Sequence, residues 1–427
     1  MIDLRLFRQQ PNDFRAALAR RGDPALDGTL DQLADLDRKR REILLRVETL
    51  KAERNAASEE VARLKRGGQS ADHLMASLKQ SGEEVKVLDG QLREVEGELE
   101  RIGLLVPNPP LAEVPGGDAS ANRVVRSWGD PPKLSFPARP HWELGERLGL
   151  FDLPRGAKLA GSGFPLFQGD GARLVRALVS FFLDVHVREH GYTEVAPPYL
   201  VSRATMTGTG QLPKFADELY TIPSDDLYLI PTAEVPVTNL YRDEILEPGV
   251  LPVGLVAYTP CFRREAGAHG KDTRGLIRVH QFDKVELVRL TQPEASPDEH
   301  ELITRHVEAV LQRLELPYRV VLLSAGDTGF SSAKTYDLEV WASGVGTWLE
   351  ASSSSNFTDF QARRLNLRYR PAPREKPELV HTLNASALAF PRTIIALLEN
   401  NQQADGSVRL PAALVPYFGA DRLTPRA

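Results

Sequence analysis

The segment from Cys261 to Glu286, CFRREAGAHGKDTRGLIRVHQFDKVE, concentrates side chains that could bind a nucleotide. Arg263 and Glu265 stand two residues apart, and the same spacing recurs in Arg278, His280, Phe282, Lys284 and Glu286. Because side chains alternate faces along a strand, a hairpin here would gather two arginines, two glutamates and a phenylalanine on one surface. A guanidinium group can hold a phosphate through two hydrogen bonds, and an aromatic ring can cover a base. The pattern predicts a nucleotide site beside an amine-bearing substrate.

The composition is that of an ordinary soluble protein with two or three domains. The chain has 427 residues, of which 42% are hydrophobic and 26% are charged. Its net charge is −5 and its pI is about 6.1, so it is not basic as a whole. Any contact with RNA therefore depends on local basic patches.

The cysteine count and the first residues of the chain exclude several classes of protein. Cys261 is the single cysteine, which excludes an intramolecular disulfide framework and a multi-cysteine zinc site. The first ten residues, MIDLRLFRQQ, lack the apolar core of a signal peptide, and no apolar run is long enough to span a membrane. We expect a cytoplasmic protein without zinc.

Two runs with heptad spacing indicate a pair of long helices between about residues 31 and 102. The first run covers 33–64, the second covers 74–102, and a polar break at 65–70 contains two glycines. A short connection makes two such helices antiparallel neighbours. A dimeric coiled coil is the alternative that the heptads alone leave open. Arg40 and Arg54 at core positions, and the matched lengths of the runs, favour a hairpin within one chain.

The rest of the chain predicts an α+β fold. The stretch VPNPPLAEVPGGDAS (106–120) cannot continue a helix, so we expect an N-terminal domain at 1–110, a linker at 111–130 and a second domain at 131–427. Strand patterns around 255–265, 276–289, 335–349 and 380–386 accompany helical patterns at 171–191 and 392–402. They predict an antiparallel sheet flanked by helices.

The segment 261–286 resembles motif 2 of the class II aminoacyl-tRNA synthetases, in the form found in the seryl-tRNA synthetase family. The resemblance extends in order along nearly the whole chain, with motif 1 at about 171–201, motif 2 at about 256–289 and motif 3 at about 381–402. It includes the helical N-terminal segment and the runs LIPTAEVPVTNLYRDEIL (229–246), KTYDLEVW (334–341), SSSSNFTDFQARRLNLRYR (352–370) and HTLNASALAFPRTIIALLENNQQADGSVRLP (381–411). Two departures stand in motif 3, where Asn384-Ala385-Ser386-Ala387 replaces the usual NGSG and Phe390-Pro391 replaces a small pair.

The resemblance implies an enzyme that uses ATP and Mg²⁺ to form seryl-adenylate and then attaches L-serine to tRNA(Ser). It also implies a homodimer and a second RNA substrate, the selenocysteine tRNA. Two alternatives remain open at this point. One is a paralogue that activates an amino acid but loads a carrier protein, and the other is a non-catalytic RNA-binding relative.

The resemblance also implies roles for individual residues in ATP binding. Arg263 corresponds to the α-phosphate clamp, Phe282 to the ring stacked on adenine, and Arg392 to the γ-phosphate ligand. Glu350 and Ser353 correspond to the Mg²⁺ ligands, and the catalytic set is Arg263, Glu350 and Arg392. The implied ATP site comprises Arg263, Arg264, Glu265, Val279, Phe282, Glu350, Ala351, Ser352, Ser353 and Arg392.

For serine and tRNA the resemblance implies two further groups of residues. The amino acid would be bound by Thr232, Ala233, Glu234, Glu286 and Ser386. A pocket that hydrogen-bonds the hydroxyl group can reject alanine by about 10⁴–10⁵ without editing. The tRNA contacts would be Lys51, Arg54, Arg63, Lys65 and Arg66 on the arm and Lys271 and Arg274 in the loop 266–275. A mobile surface loop and solvated surface charges are the alternative interpretation of these basic residues.

Overall fold

The computed structural model of the chain describes residues 2–266 and 274–425. Two compact units are distinguished by their internal contacts. One contains residues 2–19 and 23–106, and the other contains residues 20–22 and everything from Pro107 onward. Among the described residues, no helix is both long enough and apolar enough to cross a membrane.

The first unit is entirely helical. Its helices are α1 (Leu4–Gln9), α2 (Pro11–Ala19), α3 (Ala25–Arg66) and α4 (Asp72–Gly103). At 1.5 Å per residue, the 42 residues of α3 span about 63 Å and the 32 residues of α4 span about 48 Å. The predicted polar break corresponds to the short turn between them.

The two long helices pack against each other as an antiparallel pair, which confirms the predicted arm. Val47 and Leu50 of α3 are buried together with Val85 of α4. Arg40, one of the two arginines that interrupt the heptads, donates from Nε to Glu96 Oε1 of α4 at 2.8 Å. A charged residue at this seam is therefore matched by a carboxylate on the partner helix of the same chain.

The second unit combines nine described α-helices with eighteen described strands. The helices are α5 (His141–Leu148), α6 (Leu153–Ala160), α7 (Asp170–Arg188), α8 (Arg203–Thr209), α9 (Glu234–Thr238), α10 (Ser296–Arg313), α11 (Phe360–Leu365), α12 (Phe390–Asn400) and α13 (Val415–Phe418). The strands are β1 (Arg123–Trp128), β2 (Phe151–Asp152), β3 (Leu166–Phe167), β4 (Thr193–Glu194), β5 (Leu200–Ser202), β6 (Thr221–Ile222), β7 (Leu227–Leu229), β8 (Ile245–Leu246), β9 (Val253–Phe262), β10 (Gln281–Thr291), β11 (Tyr318–Leu322), β12 (Lys334–Ala342), β13 (Thr347–Asn356), β14 (Arg368–Tyr369), β15 (Glu378–Leu379), β16 (His381–Ala389), β17 (Val408–Arg409) and β18 (Arg422–Leu423).

One eight-stranded sheet organises this unit, in the order β1-β11-β12-β13-β16-β10-β9-β4. Adjacent strands of this sheet are antiparallel, except for the parallel pair β4 and β9. Buried side chains of α7, α10 and α12 join the sheet in the largest hydrophobic cluster. The predicted α+β class with an antiparallel sheet flanked by helices is confirmed.

Two local expectations differ from the structure. Residues 123–128 lie within the predicted linker but form the edge strand β1, because they pair with β11. The strand predicted over 276–289 begins only at Gln281, and β9 ends at Phe262. Glu265 has a positive φ of 52°, so strand alternation does not place this side chain. Backbone turns beyond the strand ends position Glu265 and Arg278 instead.

Candidate active site

A cavity of about 180 Å³ opens where the ends of β9 and β10 meet β13 and the start of α12. Eight of the ten residues predicted to bind ATP line it, together with Lys284, Ser386 and Arg278. The eight are Arg263, Glu265, Val279, Phe282, Glu350, Ala351, Ser352 and Arg392. Ser353 lines the neighbouring cavity instead, and Arg264 lines neither of the two.

A cationic and an aromatic group contact each other in the lining of this cavity. The guanidinium carbon of Arg263 lies 5.3 Å from the centroid of the Phe282 ring, and Arg263 Nε donates to the Pro231 carbonyl oxygen at 3.3 Å. Glu265 forms an ion pair with Arg278. A planar base and a phosphate are the ligands that match a ring beside a guanidinium group.

Arg392 lies in the first turn of α12 and is held by main-chain oxygens. Its Nη1 donates to the Glu350 carbonyl oxygen at 2.7 Å and to Glu350 Oε2 at 3.2 Å, and its Nε donates to the Ile277 carbonyl oxygen at 3.3 Å. A cation at a helix N-terminus opposes the helix dipole, and a bound anion would relieve that conflict.

A β-bulge decides how Glu350 and Ser353 are oriented. Glu350 stands opposite Glu339 and Ser352 stands opposite Leu338, so Ala351 is an extra residue in β13. The bulge reverses the alternation, and Glu350 and Ser353 therefore line the same cavity although they are three residues apart.

The side-chain oxygens of Glu350 and Ser353 would suit a magnesium ion. The Glu350 side chain is 46% exposed and Ser353 faces the same space, while Mg²⁺ prefers oxygen ligands completed by substrate phosphates and water. Within the described residues, no cluster of three or more His, Cys, Asp or Glu side chains is arranged to hold a metal. Burial, together with the Glu350 carboxylate, raises the pKa of the neighbouring Asp337 well above its usual range.

The second cavity, of about 570 Å³, adjoins the first and is polar. The two cavities share Arg263, Lys284, Glu350 and Ser386, and the second also contains Thr232, Glu234 and Asn384 among its lining residues. Glu286 lies beside this pocket with 1% of its surface exposed. Ala233 is fully buried immediately before α9.

Two buried carboxylates in this pocket are linked by an amide. Asn384 Nδ2 donates to Glu234 Oε2 at 3.0 Å and to Glu286 Oε1 at 2.9 Å. Gln361 Nε2 donates to Glu234 Oε1 at 2.6 Å. Burial, followed by repulsion from Glu286, raises the pKa of Glu234 to about 7. A ligand with an ammonium group would suit this concentration of acceptors.

Comparison with known proteins identifies the family. Residues 1–110 match the seryl-tRNA synthetase N-terminal domain, and residues 218–401 match the tRNA synthetase class II core domain (G, H, P, S and T). The serine–tRNA ligase of Gemmatimonas aurantiaca is 56% identical over 420 residues, which cover 98% of this chain and 99% of that protein. The chain belongs to the seryl-tRNA synthetase family.

Other relatives and solved structures agree with membership of the seryl-tRNA synthetase family. The serine–tRNA ligase of Geobacillus kaustophilus is 53% identical over 420 residues, covering 98% of this chain and 99% of that protein. The seryl-tRNA synthetase of Pyrococcus horikoshii, solved with ATP, superimposes with a TM-score of 0.96 at 38% identity and covers 100% of both chains. A cytoplasmic serine–tRNA ligase of Naegleria fowleri, solved with AMP, gives a TM-score of 0.90 at 27% identity over 100% of this chain and 99% of that one.

Three buried polar residues around the serine pocket of this seryl-tRNA synthetase were not among the predicted site residues. They are Lys284, Gln361 and Asn384, and each bonds to a predicted serine ligand. The sequence could have indicated two of them, because residues two apart in a strand point to the same face. Lys284 is two residues from both Phe282 and Glu286, and Asn384 is two residues from Ser386. Gln361 lies on α11, within the run 352–370 but outside motifs 1 to 3, and residue spacing carried no signal for it.

A buried histidine supports the point where the loop of motif 2 returns to the sheet. Leu276 N–H donates to His141 Nε2 at 3.0 Å, so Nδ1 carries the proton and donates to Glu399 Oε1 at 2.8 Å. Gly275 has φ +68°, and a Cβ there would lie 2.2 Å from His141 Nε2. The guanidinium carbon of Arg274 lies 4.4 Å from the centroid of the Trp142 ring. Lys271 lies outside the described residues.

The predicted arm contacts are all exposed on α3. Arg63 is paired with Glu60 at 2.6 Å, and Arg66 Nε donates to the Ala62 carbonyl oxygen at 3.1 Å. Lys51, Arg54 and Lys65 have no ion-pair partner within the described part of the chain. Their charges are available to a polyanion.

Proposed function

We propose that this serine–tRNA ligase forms seryl-adenylate across its two adjoining cavities and then transfers serine to the end of tRNA(Ser). The observation that supports this most directly is the continuity of the cavities through Arg263, Lys284, Glu350 and Ser386. A phosphate-binding cavity beside an ammonium-binding pocket places an amino-acid carboxylate next to the α-phosphorus of ATP. Catalysis is then mainly positioning and neutralisation of charge.

Within the first cavity, Phe282 covers the adenine, Arg263 holds the α-phosphate and Arg392 holds the γ-phosphate. Glu265, Ala351 and Ser352 complete the nucleotide site, Val279 contacts the nucleotide through its main chain, and Arg264 takes part as a member of the segment 263–265. Glu350 and Ser353 would hold Mg²⁺, which would supply positive charge to the phosphate oxygens. Zinc has no role in this proposal.

Within the second cavity, Thr232 and Glu286 accept hydrogen bonds from the ammonium group of serine. Glu286 and Ser386 engage its hydroxyl group, and Ala233 and Glu234 complete the pocket. An alanine ligand would leave buried polar groups without partners, which costs more than the lost contact alone.

The same family membership supports a proposal about the partners and the location of the enzyme. We propose a homodimer, a cytoplasmic location and contacts to tRNA through the arm and through Lys271 and Arg274. Tyr199 and Leu200, 43% and 42% exposed, lie in the segment that resembles motif 1 and support a subunit interface there. Charging of the selenocysteine tRNA and the domain limits 1–110 and 131–427 stay predictions.

The decisive experiment is ATP–pyrophosphate exchange with each of the twenty amino acids, followed by charging of total tRNA. We expect exchange with serine, exchange with alanine lower by about 10⁴ or more, and charging with serine only. Serine-dependent exchange without charging would indicate a paralogue that loads another carrier. The absence of exchange with every amino acid would contradict the proposal and direct attention to Ala385, Ala387 and Pro391.

A further inference from the structure

Lys284 is a buried lysine at the centre of the polar pocket, and its side chain is 5% exposed. Its Nζ donates to Thr232 Oγ1 at 2.9 Å and to Ser386 Oγ at 3.1 Å, and it forms an ion pair with Glu286. These three partners are residues that the proposed function assigns to serine. A protein ammonium group is therefore bonded to the acceptors that the substrate requires.

The hydrogen-bonding capacity of Thr232 is already filled in this arrangement. A hydroxyl group offers one donor and two acceptor sites. Thr232 Oγ1 accepts from Lys284 Nζ at 2.9 Å and from the Glu234 N–H at 3.3 Å, and it donates to Glu286 Oε2 at 3.3 Å. A second ammonium group has no free site at this oxygen while Lys284 remains bonded to it.

The charges in the pocket explain why a cation occupies it. Glu234 and Glu286 are both buried and share the Asn384 amide, so an adjacent positive charge lowers their repulsion. Serine supplies an equivalent positive charge, because a substrate ammonium group and a lysine ammonium group have the same donors. The exchange of one for the other keeps the charge of the pocket unchanged.

Lys284 also has space into which its ammonium group can withdraw. Its side chain lines both cavities, at the junction where the serine carboxylate must approach the nucleotide. The stem of a lysine has four rotatable bonds, so Nζ can leave the Thr232 oxygen without movement of β10.

We propose that Lys284 is an internal substitute for the ammonium group of the substrate. It fills the empty pocket, and it gives up its bond to Thr232 when serine binds. This inference rests on the proposed function and deepens it, because it makes Lys284 a specificity-determining residue. A ligand without an ammonium group cannot replace the charge that Lys284 withdraws.

The test compares the unaltered full chain with Lys284→Met, which keeps the length of the side chain and removes its charge. Binding of serinol, which has the ammonium and hydroxyl groups without the carboxylate, is measured by calorimetry at pH 8. Glycerate, which lacks the ammonium group, is the ligand control. We expect serinol to bind about tenfold more tightly to the variant, because its binding no longer requires the hydrogen bond between Lys284 and Thr232 to break. Glycerate should bind no more tightly to the variant than to the unaltered chain. Lys334→Met, which removes a lysine near Glu113 and Tyr336, should change neither affinity.

Unchanged or weaker serinol binding by a folded Lys284→Met variant would overturn the inference, since Lys284 would then be a ligand or a packing residue. If the variant does not fold, a crystal structure of the unaltered protein with serinol decides. The inference predicts that Nζ lies beyond hydrogen-bond distance of Thr232 Oγ1, and a retained bond contradicts it. Failure of serine-dependent exchange in the unaltered chain would refute the proposed function itself, whereas normal exchange without tighter serinol binding refutes only the role of Lys284.

Discussion

Arg392 illustrates how single residues are prepared for a ligand in this protein. Main-chain oxygens of Glu350 and Ile277 hold its guanidinium group at the start of α12, before any nucleotide is bound. A fixed cation loses little side-chain freedom when it binds a phosphate, and it needs little reorganisation as charge develops.

Replacing Arg392 with alanine should reduce serine-dependent ATP–pyrophosphate exchange by about 10²–10³-fold, because a preorganised phosphate ligand is lost. Initial rates at saturating serine measure this effect. Arg409→Ala is the matched control, since Arg409 is an exposed arginine paired with Glu315 at 3.4 Å. Normal exchange by Arg392→Ala would refute its assignment to the γ-phosphate.

The raised pKa of Glu234 predicts how serine binding depends on pH. Burial and Glu286 raise this pKa to about 7, so the carboxyl group is neutral below that pH and ionised above it. The ionised form attracts an ammonium group, and the KM for serine should therefore rise about tenfold as the pH falls from 8 to 6. Glu234→Gln should have a higher KM with no step near pH 7. A flat profile for the unaltered enzyme would exclude Glu234 as the titrating group.

At the scale of elements, irregular backbone rather than regular strand carries much of the site. The bulge at Ala351 turns Glu350 toward Ser353, and a second register shift separates Lys284 from Glu286 in the pairing of β10 with β16. The return of the motif 2 loop depends on His141 beneath Leu276. Such features re-aim side chains without moving the sheet.

Substitution of two glycines that share a φ of +68° tests whether His141 supports the residues where the loop of motif 2 returns to the sheet. Gly275→Ala and Gly346→Ala both place a side chain in left-handed backbone, at a cost of about 1–2 kcal/mol. Only at Gly275 does the new Cβ meet another residue, the His141 ring, so this variant should also raise the KM for ATP by about tenfold or more. Exchange kinetics and melting temperatures separate the two effects. Equal ATP kinetics in both variants would show that His141 does not position the nucleotide site.

At the scale of the whole molecule, adenylate formation and the tRNA contacts of the arm are assigned to different parts of the chain. The residues that line the cavities all lie after Pro107, in the unit that contains the sheet, and the basic residues of α3 belong to the helical unit. Separate units predict separable activities.

Deletion of residues 40–95, with a short Gly/Ser connection from Lys39 to Glu96, should leave serine-dependent exchange intact. The ends are adjacent because Arg40 already contacts Glu96. Charging of tRNA(Ser) should fall by about 10³-fold, since the loss of several phosphate contacts weakens binding by this order. Retained charging would refute the role of the arm.

A full-length variant tests whether tRNA charging depends on the positive charges of the arm rather than on its shape. Arg54→Glu with Lys65→Glu reverses two exposed charges and keeps both helices, so charging should weaken and depend less on salt. Charge reversal at Arg101, which lies in the last turn of α4 and pairs with Glu98, is the control at the other end of the arm.

The sequence by itself determined the helical arm and the α+β class, and most of the residues that it predicted for ATP line one cavity. Heptad spacing and strand alternation are local signals, and the two runs at 33–64 and 74–102 were sufficient to predict α3 and α4. Motif resemblance placed Arg263, Phe282 and Arg392 together without any coordinates.

Only the tertiary structure decided the contacts that join distant segments. Gln361 and His141 act on the site through hydrogen bonds to residues more than a hundred positions away, and no local period records such a contact. Strand alternation predicted that Glu265 shares a surface with Arg263, and both residues line the first cavity, but a positive φ and a turn rather than strand geometry place the Glu265 side chain. The position of Lys284 among Thr232, Glu286 and Ser386 depends on the pairing of β10 with β16 and on the segment before α9. Pairing and packing of separated segments decide which polar groups share a buried pocket.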